Sequence, residues 1–247
     1  MIENYDVNYR NASNSQLEKL YSDSRQSASA IYIKSVRPSS VLEVGCASNP
    51  LSNYLAQMGS SVETLVTLEP NEFFFRQASN LQSTGEIHKI FNLSLQDFVA
   101  TRNQSQNHYD FIVVNCLLQE VDDPEKFLLD IRMLCDRNSL VWISVPNANS
   151  IHKILAKSEN EFQKSSFGRK WNFTKDSLKL LISDLEGEIQ FEQSRILKPL
   201  NDASLSMALE LVPDFSNTLS DWLSFNSDSL FFGAELDLVI RFKETRQ

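Results

Sequence analysis

Gly45 closes the apolar run Val41-Leu42-Glu43-Val44, and an acid, Glu69, stands 24 positions further on at the end of Leu65-Val66-Thr67-Leu68. A glycine after a buried strand lets the backbone approach a ligand with no Cβ in the way. An acid at that distance reaches the two hydroxyls of a ribose. Between the two, Asn49 is placed to cap a helix with Pro50 in its first turn, which leaves backbone N–H groups facing a cleft and suits a carboxylate or phosphate. Spacing and residue types together point to a nucleoside-containing ligand.

A second set of reactive residues lies beyond residue 145. His152 sits where a helix starts after the run LVWISV, and the positive end of that helix would keep its imidazole neutral and basic. Asn147, Lys153, Arg169, Lys170 and Lys198 gather in the same stretch and suit an anionic partner. His88 and His108 read as structural or exposed. Cys46, Cys116 and Cys135 have neither CxxC spacing nor neighbouring histidines, so neither a disulfide framework nor a metal site is expected. Reduced cysteines and a polar amino-terminal stretch, MIENYDVNYR, fit a cytoplasmic protein with no membrane association. With 23 basic against 32 acidic residues, the net charge of -9 argues against nucleic acid as a partner.

The elements that must hold these residues follow from hydrophobic periodicity. Ser15 and Glu18 form a capping-box pair, and Leu17, Leu20, Tyr21, Ala28 and Ile31 predict the buried stripe of a helix running to Pro38. Five short runs, VLEVG, ETLVTLE, IHKIF, DFIVVN and LVWISV, alternate with helix-length segments and predict a parallel sheet. Asp123 and Pro124 open the helix after the fourth strand, and Asn138 is placed for a left-handed exit. The polar stretch SENEFQKSSFGRK reads as a lid. AELDLVIRF alternates and suits an antiparallel edge. In such sheets ligands bind beyond the carboxyl ends of the strands, where strand order reverses.

VLEVGCASNP, the acid in VTLEP, YDFIVVNCLLQEVDDPEKFLLDI and LVWISVPNANSIHKILA resemble the class I S-adenosylmethionine-dependent methyltransferase family from about residue 39 to 242. The resemblance implies a Rossmann-like α/β fold: a seven-stranded, mostly parallel sheet with an antiparallel last strand and helices on both faces. It implies S-adenosyl-L-methionine as cofactor. It places Glu43, Gly45 and Ala47 at the methionine moiety, Glu69 and Pro70 at the ribose, Ser94 and Leu95 at the adenine edge, and Asn115 under the sulfonium. Two departures stand out. Ala47 and Asn49 replace two of the usual three loop glycines, although a small side chain and an asparagine can both take a left-handed turn. Leu118-Gln119-Glu120 also lacks the histidine many relatives carry there.

The expected organisation is a helical cover over residues 1–38 and a methyltransferase domain over 39–247, with a lid and acceptor insertion around 149–172. His152 is the candidate base, and Asn147, Lys153, Arg169 and Lys198 are the candidate acceptor contacts. The expected acceptor is a small, anionic metabolite, a surface-polysaccharide or natural-product precursor; oligomeric state is left open. Two other readings compete. A degenerate methyltransferase fold serving as a scaffold is motivated by the lost glycines, and a nucleotide-dependent oxidoreductase or epimerase would need GxGxxG, which GCASNP breaks.

Overall fold

The computed structural model describes residues 15–81, 88–101, 108–151, 153–154, 170–224, 226–227 and 233–243. Helix α1 (Gln16–Val36) leads into β1 (Ser40–Val44), α2 (Ser52–Gln57), β2 (Thr64–Leu68), α3 (Glu72–Leu81), β3 (His88–Phe91), α4 (Leu95–Thr101), β4 (Phe111–Asn115), α5 (Pro124–Arg132) and β5 (Leu140–Pro146). The second half adds α6 (Lys175–Asp184), β6 (Gly187–Arg195), α7 (Asp202–Leu211), α8 (Phe215–Ser224), the two-residue β7 (Asn226–Ser227) and β8 (Glu235–Phe242).

The sheet order is β3-β2-β1-β4-β5-β8-β6-β7. Strands β1 to β5 run parallel and β8 lies antiparallel to β5, which is the Rossmann-like arrangement expected, with short β7 added at one end. The chain reverses direction across the sheet between β1 and β4. One expectation changes: β8 is no edge strand but is inserted between β5 and β6, and all but one of its residues are buried. Its alternation of charge and apolar residues arises because Glu235 and Asp237 are buried against arginines rather than exposed.

Each sheet face carries its own core. Leu42, Val66, Ile112, Val114 and Ile143 pack with Leu128, Ile131, Leu178 and Ile182 from α5 and α6. Val41, Leu65, Phe111, Val113 and Trp142 pack with Ala30 and Ile33 of α1 and with Leu51 and Leu55 beside and within α2. Asp123 caps α5, its side chain accepting the Lys126 N–H, and Pro124 occupies the first turn. The exit of α5 uses no left-handed Asn138; Asp136 Oδ1 instead accepts the Asn138 and Ser139 N–H groups, closing the turn without positive φ.

Helix α1 begins at Ser15, whose side chain accepts the Glu18 N–H. Its buried face is Leu17, Tyr21, Gln26, Ser29, Ala30 and Ile33: the predicted stripe holds at Leu17 and Tyr21, Leu20 and Ala28 are partly buried, and Ile31 is 61% exposed. In its second half the buried face is set by Ala30 and Ile33, which pack against Val41 and Phe111, and by Gln26 and Ser29, which meet Glu43 and Asn115, so Ile31 is turned outward.

Candidate active site

A cavity of about 1010 Å³ opens at the carboxyl ends of β1 to β4, beside the point where strand order reverses. Gly45, Ala47, Glu69, Pro70, Ser94, Leu95 and Asn115 all line it. Its size reaches the upper end of ordinary small-molecule sites, about 300–1000 Å³, so a cofactor and a small acceptor can share it.

The loop after β1 turns twice through left-handed backbone, at Gly45 (φ 75) and Ala47 (φ 47). At Gly45 the positive φ itself favours glycine, and a Cβ there would lie 3.0 Å from Leu117 Cδ2, a tight contact that the leucine side chain must yield a little to relieve. Ala47 tolerates the conformation because its N–H donates to Glu69 Oε2 at 2.7 Å. The other carboxylate oxygen of Glu69 accepts the Asn71 N–H at 3.0 Å, so one side chain clamps two loops. Burial raises the Glu69 carboxyl above its ordinary range, opposed by these N–H groups.

Glu43 is not in the cavity wall. Its carboxylate lies behind the loop, 1% exposed, accepting the Leu51 N–H, the Gln26 amide and the Thr67 hydroxyl. Burial pushes its pKa up to about 7 against those hydrogen bonds. It therefore occupies the N–H group at the start of α2 that was expected to face the cleft. Asn49 does not cap that helix: its side-chain amide reaches Ser22 and Asp23 of α1 and the Tyr54 hydroxyl. Asn115 lines the cavity while its side chain accepts from Trp142 Nε1 at 3.0 Å and donates to Gln26 Oε1 at 3.2 Å. Ser94 caps α4, donating to Asp97 Oδ2 and accepting the Asp97 N–H.

The acceptor candidates fare differently. Asn147 is 1% exposed and holds the backbone, its amide donating to the Gly233 carbonyl and its oxygen accepting the Asn149 N–H. Lys198 pairs with Asp202 and stands 5.1 Å from the centre of the Tyr21 ring. Neither they nor Lys153 line the cavity. His152, Arg169 and most of the lid stretch lie outside the described residues. Lys170 does line the cavity and pairs with Asp122 at 2.6 Å.

Sequence reasoning expected a helical cover over residues 1–38 but missed which side chains of α1 form the wall. Glu18, Lys19, Ser22, Asp23, Arg25 and Gln26 all face the cavity. Arg25 bridges Glu18 at 2.8 Å and Glu235 at 2.6 Å, and Arg195 continues the chain to Glu235 and Asp237 at 2.6 and 2.5 Å. Burial alone would raise the Glu235 carboxyl, but Arg25 and Arg195 hold it below its ordinary value. The available signal was a polar run in a helix whose neighbours are apolar. Cys116, also in the wall, has its thiol pushed up to about 12 by burial, which keeps it protonated and a poor nucleophile.

These residues fit an adenosine-containing cofactor. The glycine turn admits close backbone approach, and Glu69 presents a buried carboxylate for hydroxyls at the end of β2. Among the described residues no group of three or more His, Cys, Asp or Glu could hold a metal ion, and no helix is long and apolar enough to cross a membrane.

Fold, switch point, glycine turn and strand-terminal glutamate together define a Rossmann-like methyltransferase. The chain matches the family described as "Methyltransferase domain" over residues 13–186, and it belongs to that family, as a class I S-adenosylmethionine-dependent methyltransferase. Solved structures share the fold at low identity. The plantazolicin methyltransferase BamL, in complex with a triazolic desmethylPZN analog and SAH, is 14% identical with a TM-score of 0.61, over 97% of this chain and 91% of that one. BpumL with the same two ligands is 12% identical with a TM-score of 0.60, over 97% and 90%. A possible histamine N-methyltransferase from Thermotoga maritima is 14% identical with a TM-score of 0.59, over 91% and 92%. No curated protein sequence matches the chain significantly.

Proposed function

We propose that this methyltransferase modifies a small neutral or cationic metabolite, a natural-product precursor in class, bound in the same cavity as the cofactor. S-adenosylmethionine supplies an electrophilic sulfonium methyl, and the chain's task is to align an acceptor with it and exclude water. Glu69 holds the ribose hydroxyls, the turn at Gly45 and Ala47 lies along the methionine moiety, and Ser94 and Leu95 border the adenine. Asn115, pinned by Trp142 and Gln26, floors the reacting end.

The observation that carries the acceptor class is the charge of the cavity wall. Among the described residues, seven carboxylates (Glu18, Asp23, Glu69, Glu120, Asp122, Asp123 and Asp130) face four cations (Lys19, Arg25, Lys126 and Lys170). Three of those cations are already paired, Arg25 with Glu18, Lys126 with Asp130 and Lys170 with Asp122. An anionic acceptor, which the sequence suggested from Lys153, Arg169 and Lys198, would meet a repulsive wall. The likeness to the two plantazolicin methyltransferases supports the natural-product class. His152 remains the proposed base for an acceptor that must lose a proton.

Transfer of labelled methyl from S-adenosylmethionine to a panel of amines, phenols, carboxylates and phosphate esters tests the reading. Labelled amines or phenols are expected. Transfer confined to the anionic members would overturn the acceptor class. Absence of any heat on calorimetric titration with S-adenosylhomocysteine would favour the scaffold alternative.

A further inference from the structure

Six polar side chains run beneath the cavity in the order of the strands themselves. His88 Nε2 on β3 meets Thr67 Oγ1 on β2 at 2.9 Å, and Thr67 donates to Glu43 Oε2 on β1 at 2.9 Å. Gln26 Nε2 on α1 donates to Glu43 Oε1 at 2.8 Å and to the Asn49 carbonyl at 2.7 Å. Gln26 Oε1 accepts from Asn115 on β4, and Asn115 accepts from Trp142 on β5. Gln26 is 3% exposed and uses both amide hydrogens and its oxygen. No other side chain in this row touches the loop after β1 and the end of β4 at once.

We propose that Gln26 is a positioning residue for methyl transfer: its carboxamide fixes the loop after β1 relative to Asn115, so that α1 sets the shape of the cofactor end of the cavity. This rests on the methyltransferase reading. A buried amide that satisfies three partners is costly to replace, because each partner loses its hydrogen bond in a site that excludes water. The geometry also gives the brace a chemical signature. Gln26→Glu keeps the side chain's length but sets a second carboxylate against Glu43 and removes both N–H donors. On protonation the new carboxyl regains one donor, toward Glu43 or the Asn49 carbonyl.

The other titratable groups near this point are Glu69 at the end of β2, Asp23 one turn back on α1, Cys46 in the loop, His88 behind Thr67 and Tyr54 on α2. Burial lowers His88 to about 4, raises Cys46, and raises Tyr54 with help from its bond to Asp23, so none of these three titrates between about pH 5.5 and 8. Each variant is therefore compared with the wild type at the same pH, which cancels the titration of Glu69; in Gln26→Glu the new carboxyl and Glu43 titrate as one coupled pair, and Gln26→Leu, which adds no carboxylate, supplies the reference for Glu43 without its amide donor.

The experiment measures S-adenosylhomocysteine affinity by calorimetry, and amide hydrogen exchange over residues 45–51 in the ligand-free chain. Gln26→Glu is expected to bind about 10- to 100-fold more weakly than wild type near pH 8 and to recover to within roughly threefold near pH 5.5. Gln26→Leu is expected to lose about tenfold at every pH, with faster exchange at Ala47 and Leu51. Wild-type affinity and exchange in both variants, or a loss in Gln26→Glu that acidification does not reverse, would overturn the proposal. Should Gln26→Leu fail to fold, Gln26→Glu alone decides. Should the wild type itself not bind S-adenosylhomocysteine, the methyltransferase reading fails, while exchange at residues 45–51 still tests the brace.

Discussion

Replacing Glu69 by alanine tests the cofactor site most directly, because two effects of the change can be separated. The carboxylate accepts the Ala47 N–H at 2.7 Å and the Asn71 N–H at 3.0 Å, and it faces the cavity. Hydrogen bonds to a charged acceptor contribute about 1.5–3 kcal/mol each when buried. In the alanine variant water can enter the cavity and satisfy the two N–H groups, so the loop loses less than that sum. The ribose hydroxyls lose a charged partner that water replaces poorly once the ligand fills the site. A net loss of about 1.5–3 kcal/mol in binding, roughly 10- to 150-fold in dissociation constant, is expected. Calorimetric titration of S-adenosylhomocysteine and its 2′-deoxy analogue into both proteins completes a cycle. The wild type should discriminate between the two ligands, and Glu69→Ala should not. An unchanged dissociation constant in a folded variant, or undiminished discrimination, would refute the assignment of Glu69 to the ribose.

Glu43 should make stability depend on pH. Its carboxyl, at about 7 in the folded chain against an ordinary 4.5, holds its proton longer when folded, so stability is full below about 4.5 and falls as pH rises through 7. Glu43→Gln, whose amide can still accept from Leu51 and donate to Thr67, should flatten denaturant midpoints across that window; an unaltered slope would remove Glu43 as the cause. Ala47→Gly should raise the thermal midpoint by about 1–3 °C, since relief of left-handed strain exceeds the added unfolded-state entropy. A lowered midpoint would contradict the strain at φ 47. Arg195→Met removes the cation from Asp237, 0% exposed, and leaves Glu235 with Arg25 alone, and should cost about 3–5 kcal/mol in urea unfolding. A loss under 1 kcal/mol, roughly the worth of an exposed pair, would show that those charges are solvated.

The sheet was legible because its strands are short, β-branched and buried on both faces, so Val41, Val66, Ile112 and Val141 announce themselves without tertiary information. Glu69 was legible for a related reason: position along a strand fixes which end it occupies. Side chains that answer to partners far away in sequence were not. Glu43 reads as a cleft residue until Gln26 and Leu51, 17 residues before it and 8 after, claim its oxygens. Lys198 reads as an acceptor contact until the centre of the Tyr21 ring of α1, 177 residues before it, is found 5.1 Å from its ammonium. The rotation of α1 was hidden because Ala28 and Ile31 satisfy a helical period as well as Gln26 and Ser29 do. The apolar contacts of Ala30 and Ile33 and the polar strand ends beneath Gln26 and Ser29 choose between the two faces.

The surviving glycine explains why a depleted loop still turns. Only positions 45 and 47 adopt left-handed backbone between β1 and α2. Position 45 meets both a left-handed φ of 75 and a tight approach, 3.0 Å from a Cβ to Leu117 Cδ2, so a side chain there costs strain and a shift of that leucine. Position 47 meets strain alone, about 1–2 kcal/mol for a residue bearing a Cβ, and a charge-assisted bond from its N–H to Glu69 is of the size needed to offset it. Position 49 needs no glycine, because its backbone is not left-handed, and its side chain ties the loop to α1 instead. The loop is thus gripped by two carboxylates from adjacent strands, Glu69 at Ala47 and Glu43 at Leu51. Restoring glycine at 49 would remove a tether and relieve nothing, whereas removing either glutamate leaves a strained turn without its anchor.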